Sequence, residues 1–236
     1  MTRVLETKNE MQSRGIAKYD QLYSDAAKNT DVWCWKGDVD EKKSLVAKTI
    51  VGPSGWPENA KILEIGCGLG QSASFLSELG FQVTAVDLSK SGIQHARQTY
   101  NGPEYICADA AEFEPDCMFD GILASGMSWY HYELNDVNCN GVDVPKETAR
   151  LFKWLKPGGT FVLKIKTEFS GRRPLGKVHH NRLADYMDLF TPLGTIIRTT
   201  DGSGRLLRTE QDAKPTWIRK MLGSTREGVV IVTQKE

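Results

Sequence analysis

The chain has 236 residues, 40% of them hydrophobic, with 30 Lys/Arg against 30 Asp/Glu, so it can bury one good core and has no net charge with which to seek a polyanion. No apolar run approaches the roughly 20 residues of a membrane span, and residues 1–15, MTRVLETKNEMQSRG, lack the apolar centre of a signal peptide, so a cytoplasmic protein with no membrane partner is expected. The five cysteines, Cys34, Cys67, Cys107, Cys117 and Cys139, are odd in number and irregular in spacing, which argues against a disulfide framework and a zinc site; no metal is expected.

Residues 1–60 precede the first strand and are expected to form an N-terminal helical segment of the same domain. Two helices are predicted there, over 16–29 and 40–50, separated by an aromatic stretch, Asp31 to Lys36. Gly52-Pro53-Ser54-Gly55-Trp56-Pro57 reads as a turn-rich connection. The main domain then runs from 61 to 236. It opens with Lys61-Ile62-Leu63-Glu64-Ile65, an apolar run that predicts a buried strand, followed at once by the alternate glycines Gly66, Gly68 and Gly70. A helix is predicted after Gly70, with Phe75, Leu76 and Leu79 on one face and Gly80 ending it. Phe81 to Val86 is the second strand and finishes on Asp87.

Strand, glycine loop, helix, strand and acid form half of a nucleotide-binding crossover. Glycines let backbone approach a ligand, and an acid about 20 residues on accepts hydrogen bonds from ribose hydroxyls. A dinucleotide fingerprint would need glycine at position 71, where the chain has Gln71, and the loop lacks the residues of a phosphate cradle.

Further along, Ser89 caps a predicted helix that ends near Tyr100, and Tyr105 to Ala108 is a third strand ending on Asp109. Cys67, in the glycine loop, and Cys107, in this strand, are expected to be small packing residues. Phe119 to Ser125 is the fourth strand, reached by a link short enough to reduce the usual intervening helix. After it comes an aromatic loop, Gly126 to Tyr132, where ligands of open α/β sheets bind. A helix over Pro145 to Leu155, a fifth strand over Thr160 to Lys166, a helix over Asn181 to Phe190 and a strand over Thr195 to Thr200 follow. Asp201-Gly202-Ser203-Gly204 turns toward Arg205–Arg208 in a possible hairpin, an insertion at about 205–225 carries a helix over Pro215 to Leu222, and Glu227 to Gln234 is the last strand.

Glu64-Ile65-Gly66-Cys67-Gly68-Leu69-Gly70, together with Leu155-Lys156-Pro157-Gly158-Gly159 before a strand, resembles the class I S-adenosylmethionine-dependent methyltransferases of small-molecule type; the resemblance covers about residues 60–167. It implies a Rossmann-like α/β fold: a seven-stranded, mostly parallel sheet with helices on both faces, the last strand antiparallel, and the N-terminal segment as a lid. It also implies S-adenosyl-L-methionine as cofactor, held by Tyr19, Glu64, Gly66, Cys67, Gly68, Asp87, Leu88, Asp109, Ala110 and Ser125. Packing of the lid serves equally well for Tyr19, and helix capping for Asp109.

The implied reaction is in-line transfer of a methyl group to an oxygen or nitrogen of a small, possibly anionic, acceptor, with donor and acceptor held in line and water excluded. His131, just past the fourth strand, is the candidate general base, since imidazole titrates near neutrality. Trp129, Tyr130, Arg172, Arg173 and His179 are candidate acceptor contacts. The last three fall in a basic run that also holds Lys177, His180 and Arg182, which reads either as a carboxylate-binding segment or as a solvated loop. The charge is uneven: residues 1–149 hold 13 Lys/Arg and 22 Asp/Glu, residues 150–226 hold 16 and 6. That leaves methylation of RNA or protein as an alternative, although no nucleic-acid module is present and nucleic acid is not expected; a non-catalytic binding protein of the same fold is another. Oligomeric state is left open.

Overall fold

The computed structural model describes residues 19–25, 38–135, 141–172, 180–213 and 227–236. Among these are seven strands in one sheet: β1 (Lys61–Ile65), β2 (Gln82–Asp87), β3 (Glu104–Cys107), β4 (Phe119–Ser125), β5 (Leu155–Thr167), β6 (Thr195–Asp201) and β7 (Glu227–Gln234). Their order is β3-β2-β1-β4-β5-β7-β6. β1 to β5 pair in parallel, and β7 runs antiparallel to both β5 and β6. Strand order reverses between β1 and β4, so their carboxyl ends open a crevice.

The central strands bury both faces, and alternation decides which layer a side chain joins. Ile62, Val83, Ala85, Leu123, Val162 and Val232 face a layer formed by α2 (Val39–Val46), α3 (Gln71–Glu78) and α4 (Lys90–Thr99). Leu63, Ile65, Ile122, Ala124, Phe161, Leu163 and Ile231 face α5 (Val144–Lys153) and α6 (Leu183–Phe190). Phe152, Phe161, Phe190 and Tyr130 stack there with centroids 5.3–6.3 Å apart, a large buried aromatic area.

Helix ends follow local chemistry. Asp38 caps α2, Ser89 caps α4 through the Gly92 amide, and Asp143 caps α5 ahead of Pro145. α3 starts from Gly70 and ends before Gly80, whose φ is +94°.

Several expectations are corrected. The segment expected as a turn, Gly52-Pro53-Ser54, is helical: α2 widens into a π-helical stretch over Ala47–Val51, continues through Gly52–Ser54 and stops at Gly55. A widened turn suits a site where Pro53 has no N–H to return to the preceding turn. Cys107 is exposed rather than packed, because β3 is the sheet edge and Tyr105 takes its buried position. β5 begins at Leu155, which pairs with Phe119; Lys156 to Gly159 then bulge out of register before Thr160 pairs with Gly121. The hairpin after β6 reduces to a turn and a single bridge between Thr200 and Leu206. The first helix is described over 19–25, designated α1; the rest of the 16–29 helix, the aromatic stretch 31–36 and the Pro215 to Leu222 helix lie outside the described residues. A short helix, α7 (Glu210–Ala213), falls within the expected insertion.

Candidate functional site

The glycine loop is built by hydrogen bonds that only this sequence supplies. The amides of Gly66 and Cys67 both donate to the Val86 carbonyl, at 2.8 and 3.1 Å, turning the chain sharply at the end of β1. The Gly68 amide donates to Asp87 Oδ2 at 2.7 Å, and the Ser89 amide donates to Oδ1 at 2.8 Å. Asp87 therefore ties the ends of β1 and β2 together while keeping further lone pairs for a ligand. Gly68, with φ +56°, has no room for a side chain: a Cβ would lie 3.0 Å from the Tyr23 hydroxyl.

Around this loop lies an open cavity. Tyr19, Tyr23, Gly66, Val86, Asp87, Leu88, Ala108, Asp109, Ala110, Gly126, Met127, Ser128 and Trp129 line it. Its floor is thus the carboxyl ends of β1, β2, β3 and β4. α1 contributes the two tyrosines, stacked at 6.2 Å, and is fastened by Asp20, which accepts from Ser89 Oγ at 2.9 Å and the Ser91 amide at 2.8 Å. Desolvation pushes the Tyr19 and Tyr23 hydroxyls up, so both stay protonated donors at neutral pH.

Behind the loop, on the α2–α3–α4 side of the sheet, Glu64 is 2% exposed and its Oε2 has no hydrogen-bond partner among the described residues. Burial first, and then the Asp87 charge, push its carboxyl up to about 8, with Lys164 opposing. Lys164 extends from β5 on the same face, and burial pulls its ammonium down to about 8 against the attraction of Glu64. Asp87 is itself raised by desolvation, with the Ser89, Gly68 and Leu88 amides holding it back. Cys67 is buried and its thiol is pushed well up, so it packs rather than reacts.

Of the residues expected at a cofactor, Tyr19, Gly66, Asp87, Leu88, Asp109 and Ala110 line the cavity together. Glu64, Cys67, Gly68 and Ser125 stand just behind it. Trp129 also reaches the cavity, but Tyr130 does not: its ring is fully buried in the aromatic stack, and its hydroxyl lies 3.2 Å from Thr148 Oγ1. Tyr130 is therefore a core residue, and the expectation of an acceptor contact is withdrawn. A 3₁₀ turn over Ser128–His131 separates the directions of these two neighbours.

His131 ends that turn, half-buried and outside the lining of the cavity. The described residues of the basic run do not line the cavity, although Arg172 and His180 meet through an antiparallel backbone bridge. Arg172 is exposed, His180 is buried with Nε2 3.8 Å from Glu168, and Arg182 pairs with Asp185 at 2.6 Å. Arg173, Lys177 and His179 lie outside the described residues. The loop expected to meet a ligand does so through Gly126, Met127, Ser128 and Trp129, whereas Tyr23, Val86 and Ala108 line the cavity without having been expected there. Tyr23 could have been, because it stands four residues after Tyr19 on one helical face.

Residues 63–163 match the family described as methyltransferase domain. That match covers less than half of the chain. The chain is 28% identical over 173 residues to phosphoethanolamine N-methyltransferase 1 of Zea mays, covering 69% of the chain and 30% of the relative. It is 27% identical over 176 residues to the S-adenosyl-L-methionine-dependent Diels-Alderase iccD of Talaromyces variabilis, covering 70% and 55%. The chain thus spans well under two thirds of the length of these curated relatives. In three dimensions it resembles Burkholderia thailandensis 1,6-didemethyltoxoflavin-N1-methyltransferase, with a TM-score of 0.66 at 17% identity over all of this chain and 93% of the other. That likeness establishes the fold. The Talaromyces relative is named for S-adenosyl-L-methionine, and the site here fits that molecule: an acid-tipped β2 for a sugar, a glycine-lined floor, and an apolar wall of Val86, Leu88, Ala108 and Met127. No helix among the described residues is long and apolar enough to cross a membrane.

Proposed function

We propose that this chain transfers a methyl group from S-adenosylmethionine to an oxygen or nitrogen of a small molecule. The observation that carries the reading is the Asp87 carboxylate, fixed by two backbone amides at the mouth of the glycine loop and open to the cavity. When bound, the cofactor supplies a methyl already activated by a positive sulfur, so the protein's task is to orient, enclose and, for a protonated acceptor, to take up a proton.

In this reading Asp87 accepts from the ribose hydroxyls, with Leu88 against the sugar. Asp109 and Ala110 meet the adenine. Gly66, Cys67 and Gly68 let the backbone approach, with Glu64 and Ser125 behind them. Tyr19 and Tyr23 close the site from α1, which acts as the lid, while α2 and the residues after it pack into the core of the same domain. Trp129 bounds the acceptor side. His131 is the candidate proton acceptor, and Arg172, Arg173 and His179 the candidates for orienting an anionic acceptor.

The test is to incubate the protein with methyl-labelled donor and a cell metabolite extract, and to titrate the donor against Asp87→Ala. A labelled small molecule, and a loss of about 1–3 kcal/mol in donor binding, are expected. Label in a macromolecular fraction, or unchanged donor affinity in the variant, would overturn the reading. Similarity to the Diels-Alderase favours a second reading, in which the cofactor is bound and not consumed. Donor binding without label transfer in any fraction would select it.

A further inference from the structure

In a parallel sheet the connection between strands that follow one another in the chain is usually a helix that packs back on the sheet and fixes the loops at either end. Between β3 and β4 that helix is missing: residues 108–118 run through turns alone. Yet this link supplies Ala108, Asp109 and Ala110 to the cavity wall. Its internal ties are local. Asp109 Oδ1 accepts from the Ala111 amide at 2.9 Å, and the Asp109 carbonyl accepts from the Glu112 and Phe113 amides at 2.9 and 2.8 Å. The Ala108 amide donates to the Asp87 carbonyl at 3.0 Å and Ala110 is buried, which fastens the start of the link to the sheet, but none of these backbone bonds reaches the Ala110 and Phe113 carbonyls.

One side chain does. Arg150, in the last turn of α5, donates through Nη1 to the Phe113 carbonyl at 2.8 Å and through Nη2 to the Ala110 carbonyl. Its orientation is itself set on three sides. Nε donates to Glu147 at 2.8 Å, Nη1 also reaches Glu114 at 3.2 Å, and the guanidinium lies 4.6 Å over the ring of Trp154. Trp154 in turn meets Phe113 edge-on at 5.8 Å. A planar fork with donors in fixed directions can hold two carbonyls at once; the single point charge of lysine cannot. Arg150 is only 19% exposed and far too engaged to be a solvated surface charge.

We propose that Arg150 is a positioning residue for the base end of the cofactor: it holds the Asp109–Ala110 turn at the angle a purine edge needs, in place of the crossover helix. The inference rests on the cofactor reading above. It goes beyond it by assigning adenine selectivity to a residue that does not line the cavity.

The experiment titrates S-adenosylhomocysteine and S-inosylhomocysteine, which differ at the purine edge, into the wild type, Arg150→Met and Arg150→Lys. The wild type is expected to prefer the adenine form by at least about tenfold. Arg150→Met should bind S-adenosylhomocysteine about tenfold more weakly and bind the inosine form almost as before, so that the preference collapses; Arg150→Lys should fall between. Should the methionine variant not fold, the lysine variant, which keeps the charge and loses the fork, carries the test. Equal weakening toward both compounds would mean a merely structural role and overturns the proposal, as does a retained preference. A wild type that binds neither compound refutes the cofactor reading itself, which separates that failure from this one.

Discussion

Glu64→Gln should make the protein more stable at alkaline pH while leaving it unchanged in acid. Glu64 is buried behind the glycine loop, where desolvation and the Asp87 charge raise its carboxyl from an ordinary 4.5 to about 8. A raised carboxyl means that the folded state binds more protons than the unfolded state between those two values. Stability is therefore greatest below 4.5, declines as pH rises through the window, and has lost its full amount above about 8. Each tenfold difference in proton affinity is worth about 1.4 kcal/mol, which sets a ceiling of about 5 kcal/mol for this group. That ceiling already contains the opposing attraction of Lys164 on the same sheet face; relaxation and water penetration around the charged carboxylate lower the expected gain for the glutamine variant to about 2–4 kcal/mol. Urea unfolding at pH ~5 and pH ~9 measures it through the midpoint at constant slope. Curves for variant and wild type that stay parallel across the range would show that Glu64 is solvated in the folded state, and the argument from burial would fail.

Gly70→Ala should cost about 2–4 kcal/mol. At φ +83° the new Cβ would sit 2.6 Å from Ala96 Cβ and 2.8 Å from Tyr105 Cε1, and Tyr105 is held in place by its own bond to the Gly70 carbonyl. A loss under about 1 kcal/mol in thermal or urea melts would mean that the neighbours yield. Asp20→Asn should weaken the fastening of α1 to the start of α4 and speed S-adenosylhomocysteine release about threefold or more in stopped-flow displacement. The Asp20 carboxyl is held below its usual 3.8, chiefly by the Ser91 amide, so the fastening is present at higher pH and fails only as pH falls below that value; an unchanged release rate would separate α1 from cofactor retention.

The parts of this protein that are legible in its sequence are those whose causes are local. β1, the glycine loop and β2 ending on Asp87 need only a run of apolar residues, three glycines and one acid, and the structure places them as read. Trp129 and Tyr130 show what is not local. They are adjacent aromatic residues at a strand end, and nothing in their order says that one lines the cavity while the other fills the core; the 3₁₀ turn and Phe161 and Phe190 decide that. Cys107 is similar: its apolar strand looks like its neighbours until the sheet order makes it an edge. Arg150 is one basic residue of an amphipathic helix until the fold brings Ala110 and Phe113 to it from about 40 positions away.

The antiparallel β7 lies between β5 and β6 and bonds to both along nearly its whole length. It is also the last of the seven strands in the chain, so during synthesis β5 presents an open edge of Phe161, Val162, Leu163 and Ile165 until residues 227–234 have emerged. The centre of the sheet, with its cavity, is assembled from elements already made, while two long edges wait for one late strand. Such an edge is a template for pairing with another chain, and here the open interval covers more than 60 residues, from Thr167 to Glu227. Slow translation across that interval thus exposes this protein to aggregation before its site has any bearing on its fate.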